Sequence, residues 1–113
     1  MRSISTHVLD ITRGKPAHAV PVLLEEHAGP KEWKVIGDGK TDADGRIKDL
    51  VPEGKLTAGT YRISFDTGAY FSAQGVKGFY PEASIVFLIE DANAHYHVPL
   101  LLSPYGYSTY RGS

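Results

Sequence analysis

"GTYRISFDT", residues 59–67, decides the fold. Tyr61, Ile63 and Phe65 fall on one side of an extended chain, and Arg62, Ser64 and Asp66 on the other. That period of two marks a strand with one dry face and one wet face. Similar stretches lie on both sides of it. "SISTHVLDI" (3–11) is β-branched and ends at the turn "TRGKPA", and "AVPVLLEEH" (19–27) aligns Val20, Val22 and Leu24 on one face. "KEWKVIG" (31–37) puts Trp33 and Val35 together, and "GKTDADGRIKDLV" (39–51) turns at "DADG". "SIVFLIED" (84–91), "HYHVPLLLS" (95–103) and the final "YGYSTYR" (105–111) complete the set. The 12 glycines and 7 prolines punctuate these runs, about every ten residues, as an antiparallel all-β chain requires. Only "TGAYFSAQG" (67–75) breaks the alternation; it predicts one short helix capped by Thr67 and ended by Gly75. The expected architecture is a β-sandwich of about eight strands.

The chain has 113 residues, enough for one domain (1–113) with one core. It contains no cysteine, which excludes disulfides, thiolate zinc sites and cysteine nucleophiles. Twelve basic and 13 acidic residues give a net charge of -1 without a run of either sign. No nucleic-acid or membrane partner is therefore expected. "MRSISTHVLD" has no apolar leader-like core, and no stretch is long enough to span a bilayer. The expected compartment is the cytoplasm; a periplasmic leader already removed would leave no trace in the sequence.

One pattern points beyond a single chain. In "VPLLLSP", Leu100 and Leu102 share one face while Leu101 occupies the other. A strand apolar on both sides is covered on both sides, and burial by a second subunit is favoured over cover from the short helix or a loop. Pro99 cannot donate to a ladder, so an edge position or a bulge is expected there.

Of the five histidines, His95 and His97 share a strand face, roughly 6.5–7 Å apart by strand rise. That spacing suits an HxH metal pair, but with no further clustered ligand motif the favoured reading is two hydrogen-bonded imidazoles and no metal. "DADG" with Glu53 in the twelfth position resembles a calcium loop only superficially. Its glycine is at 45 rather than 47, and Arg46 occupies a ligand position. No GxSxG elbow is present, so any hydrolysis calls for an activated water, with an imidazole of near-neutral pKa as the suitable base.

The "YRGS" ending, with "HYHVPLLLSPYGYSTYRGS" (95–113), "THVLDITRGKPA" (6–17), "TDADGRI" (41–47), "GTYRISFDTGAYF" and "FYPE", all in order, strongly resembles the transthyretin-related 5-hydroxyisourate hydrolase family. The resemblance runs from end to end. It implies a transthyretin-like (prealbumin-like) sandwich of two four-stranded antiparallel sheets with one short helix. It implies further a homotetramer, a dimer of dimers with its sites at the dimer–dimer interface. The implied reaction is cofactor-free hydrolysis of 5-hydroxyisourate to 2-oxo-4-hydroxy-4-carboxy-5-ureidoimidazoline in urate catabolism. Carried over by position, His7, Arg46 and His97 are the implied catalytic residues, and Tyr110, Arg111 and Ser113 join them in binding substrate. Which of His7 and His97 is the base stays open. A second reading is a transthyretin-like carrier without activity, against which the polar trio argues; a third is a metal enzyme using His95 and His97.

Overall fold

The computed structural model describes residues 3–51 and 56–112. In chain order its elements are β1 (Ser3–Asp10), β2 (Lys15–Pro16), β3 (Pro21–Gly29), β4 (Glu32–Lys40), β5 (Arg46–Ile47), β6 (Gly59–Phe65), α1 (Thr67–Ala73), β7 (Ala83–Ile89), β8 (His95–Ser103) and β9 (Gly106–Thr109). One sheet runs β2-β1-β8-β9 with the short β5 also paired to β1, and the other runs β4-β3-β6-β7. The expected two-sheet sandwich with one short helix is what forms. The pairing is antiparallel except at one place: β1 and β8, from opposite ends of the chain, run parallel.

Alternation builds the core. Tyr61, Ile63 and Phe65 are fully buried, as are Val20 and Leu24, with Val22 nearly so. From the other sheet Ile4, Val8, Leu100 and Leu102 pack into the same cluster. Burying such side chains is the main term holding the sheets together, about 1.5–3 kcal/mol each. Val35 does not join them; it is exposed, and only Trp33 of that pair is half-buried. A register shift between Leu24 and Glu25 bends the β3–β4 ladder here. Trp33 instead carries the Arg62 guanidinium 4.4 Å above its ring, and Arg62 also bonds Glu25 at 2.9 Å.

The helix ends where Gly75 predicts, but its cap is one residue earlier than expected. Asp66, not Thr67, accepts the Ala69 N–H at 3.0 Å. Thr67 is buried as the first helical residue and donates its hydroxyl to Tyr80 O at 2.6 Å. A carboxylate competes better for the positive helix start, and the hydroxyl is better used inward. Gly75 takes φ +68, the left-handed conformation of a helix stop.

Pro99 lies in an internal strand, not at an edge, and without a register shift. The β8–β9 ladder runs from Ser103↔Gly106 to Leu100↔Thr109, then resumes as a bridge between His97 and Gly112. The register is the same on both sides of Pro99, so its missing N–H costs a ladder bond but not the alignment. Its carbonyl is satisfied separately, by the Thr109 hydroxyl, which donates to Pro99 O at 2.7 Å.

Candidate active site

Two strand pairings and one turn bring distant residues to the outer face of the first sheet. The parallel register sets Ser3 beside His95, Ser5 beside His97 and His7 beside Pro99. The antiparallel β1–β5 pairing sets Arg46 beside His7. The "DADG" turn makes that second pairing possible. Asp42 Oδ1 accepts the N–H groups of Asp44 and Arg46 at 2.8 and 3.0 Å, and these bonds hold its carboxyl below the usual range. Gly45, at φ +76, passes so close to Val8 O that a Cβ would lie 2.4 Å from it. This is an Asx-type turn with no room for a side chain, and it delivers Arg46 to the sheet.

Ser5, Thr6, Arg46, Ile47, Lys48, His95 and His97 line an open cleft of about 290 Å³. His7 stands beside it, with Nε2 at 2.8 Å from Asp44 O. A carbonyl only accepts, so Nε2 carries a proton there and donates it. His97 is arranged the other way round. Its Nδ1 lies 2.7 Å from Ser5 Oγ, and its Nε2 has no hydrogen-bond partner among the described residues. Burial, then the charges of His7, His95 and Arg46, holds His97 below the ordinary imidazole value, which favours its neutral form. Its ring is also fixed from the C-terminal side. Gly112 N donates to His97 O at 2.8 Å, and a Cβ on Gly112 would stand 2.4 Å from the imidazole Cδ2.

The residues marked by sequence divide into two groups. His7, Arg46 and His97 meet at the cleft. Tyr110 and Arg111 line, with His97, a second and more apolar cleft of about 210 Å³ that also includes Phe87 and Tyr96. There the Arg111 guanidinium lies 4.7 Å over the buried Tyr96 ring, which anchors the terminal segment rather than facing Arg46. Ser113 and Glu53 lie outside the described residues. His95 and His97 do stack, with centroids 6.5 Å apart, and both are hydrogen-bonded imidazoles. Sequence reasoning missed Ser5, which touches both rings, and Lys48, a second cation on the cleft.

The profile of the HIUase/Transthyretin family (Transthyretin) matches residues 4–112. The chain belongs to this family. It is 51% identical over 110 residues to the 5-hydroxyisourate hydrolase of Salmonella dublin, covering 97% of this chain and 80% of that protein. The structure of Klebsiella pneumoniae 5-hydroxyisourate hydrolase superimposes with a TM-score of 0.88 at 38% identity, covering 100% of both chains. Sea bream transthyretin in complex with thyroxine gives a TM-score of 0.91 at 36% identity, covering 97% of this chain and 94% of that one. The hydrolase and the thyroxine-bound transthyretin thus share the sandwich, and the side chains of the site must separate them.

Proposed function

We propose that this chain hydrolyses 5-hydroxyisourate in urate degradation, with His97 as general base, Arg46 as the anchor for substrate oxygens and His7 as the group that orients water or ring. The observation that carries this reading is the place of His97 on the same cleft as Arg46, with its Nε2 lacking a hydrogen-bond partner among the described residues and its ring held below the usual imidazole value by burial. The substrate is a flat ring rich in carbonyls. His97 Nε2 takes a proton from water, and the hydroxide adds to a ring carbonyl carbon. The adjacent C–N bond then breaks, the carbonyl carbon becomes a carboxyl group, and the leaving nitrogen recovers the proton. General base catalysis of this kind contributes about 10²–10⁴-fold. The Arg46 fork, with Lys48 beside it, opposes the charge growing on the attacked oxygen; one such donor contributes about 3 kcal/mol. His7 is given the orienting role because it stands beside the cleft, held by Asp44 O, whereas His97 lines the cleft itself.

The assembly we propose is a homotetramer with the cleft closed between two dimers. Leu9 and Leu101, neighbours on the same outer face, are each only half-buried within one chain, which supports a covering subunit. Tyr110, Arg111 and Ser113 would then hold the wall of the site rather than do chemistry.

Freshly generated 5-hydroxyisourate tests the reaction directly. Its loss, followed by absorbance, is expected to be fast and insensitive to chelator with the wild-type chain, and near background with His97→Ala or Arg46→Ala. Tight thyroxine binding without turnover would instead identify a carrier.

A further inference from the structure

The mechanism above uses His97 but none of the groups chained to it. Ser3 Oγ bonds His95 Nδ1, His95 Nε2 lies 3.1 Å from Ser5 Oγ, and Ser5 Oγ lies 2.7 Å from His97 Nδ1. The parallel ladder makes this chain continuous, because it places two serines directly opposite two histidines on one face. A serine hydroxyl has a single proton to give. When Ser5 donates to one imidazole it accepts from the other, so the tautomers of His95 and His97 are set by one oxygen.

Consider the arrangement that leaves a base in the cleft. His97 Nδ1–H donates to Ser5, Ser5 O–H donates to His95 Nε2, and His95 Nδ1–H donates to Ser3. All three bonds are then satisfied and His97 Nε2 holds a lone pair. The geometry points to Ser5 as a positioning residue that fixes this tautomer of His97 and passes a proton between His97 and His95. This rests on the assignment of His97 as the base, and adds Ser5 and His95 to it.

The proton count closes. Water gives its proton to His97 Nε2 and its hydroxide to the carbonyl carbon. The His97 Nδ1 proton moves to Ser5 Oγ as the Ser5 proton moves to His95 Nε2. His97 ends neutral with a proton on Nε2, ready for the leaving nitrogen, and the positive charge rests on His95. That destination is physically better. His97 is half-buried and feels His7, His95 and Arg46, whereas His95, on the same cleft, is exposed to water. Return of the proton to the leaving nitrogen reverses the chain.

The test combines nitrogen NMR with kinetics on the full chain. In the wild type at neutral pH, the His97 Nδ1 signal is expected to be that of a protonated nitrogen and Nε2 that of a free lone pair. Ser5→Ala is expected to mix the tautomers and lower kcat on the order of tenfold to a hundredfold, the usual effect of removing a group that orients a functional histidine. KM should change by no more than about twofold, since the Ser5 hydroxyl is engaged by the two imidazoles rather than left free for substrate. Ser5→Thr, which keeps the hydroxyl, restores both signal and rate, and His95→Leu lowers kcat and, by freeing the Ser5 proton, mixes the His97 tautomers. Wild-type kcat in Ser5→Ala or His95→Leu overturns the proposal. So does a wild-type His97 protonated on Nε2, a result that needs no variant to fold. Undiminished turnover by His97→Ala is a different failure: it removes the base assignment, while the coupled tautomers would still be read in the spectrum.

Discussion

Gly112 shows how closely one residue is specified here. Any Cβ at this position would sit 2.4 Å from Cδ2 and 3.2 Å from Cγ of His97. Ring atoms next to the backbone cannot swing aside as a chain end can, so Gly112→Ala must turn the imidazole or displace the terminal segment. The expected outcome is a kcat reduced by about 10²-fold with little loss of stability, since a small misplacement of a reacting group is enough for that; kcat and melting temperature measured together check it. The pH dependence follows from the same ring. His97 titrates below its ordinary value of 6.5, chiefly because it is buried. The acid limb of kcat/KM is therefore expected below pH 6.5, and a limb above it would contradict the assignment. The sign for folding agrees: the unfolded chain takes this proton more readily, so stability is complete above pH 6.5 and is lost as pH falls through the lower folded value. His7, Arg46, His97 and Arg111 were marked by the family resemblance rather than by local pattern. Ser5 was not marked, because its bonds depend on pairing with a strand some 90 residues away, and alternation alone does not say which face a terminal segment turns toward the core.

At the scale of elements, α1 is fastened to β1 by one buried bond. The Tyr70 hydroxyl donates to Asp10 Oδ2 at 2.8 Å, while Asp10 Oδ1 accepts the Arg13 N–H at 3.0 Å. Burial, then this bond, pushes the Tyr70 phenol above its usual value, so it remains a donor throughout the neutral range. Asp10 is almost wholly buried. Tyr70→Phe leaves one carboxylate oxygen without its donor, and urea unfolding is expected to show a loss of about 1–3 kcal/mol, with kcat unchanged because the cleft is untouched. A fully stable variant would mean that the bond contributes nothing net. The helix itself was readable from its break in alternation, but its cap moved to Asp66 because the sequence offers two adjacent capping residues and only packing chooses between them. The parallel pairing of β1 with β8 was not readable, since alternating strands look the same in either direction. Pro99 pointed to an edge for a sound reason, a missing donor. The fold accepts it inside the sheet because the lost bond falls on the short terminal strand, and the Pro99 carbonyl is still satisfied by the Thr109 hydroxyl.

Among the described residues, two long strands, β4 and β7, have a neighbour on one side only, at the borders of the second sheet, as has β9 at one border of the first. Val86 and Leu88 on β7 are 58% and 65% exposed. Open strand edges with exposed apolar side chains are ready to join another chain. The chemistry asks for the same thing. Arg46 and His95 are exposed on an open cleft, and charge stabilisation is weak until water is excluded. If a second copy closes the cleft, activity must depend on assembly even when no cleft residue is altered. Val86→Lys tests this, because it places a charge on an edge strand in the sheet that does not carry the site. Sedimentation is expected to show a tetramer for the wild type and smaller species for the variant, with specific activity falling in parallel as either protein is diluted. Full specific activity in a species that sediments as a monomer would show that one chain alone makes a working site.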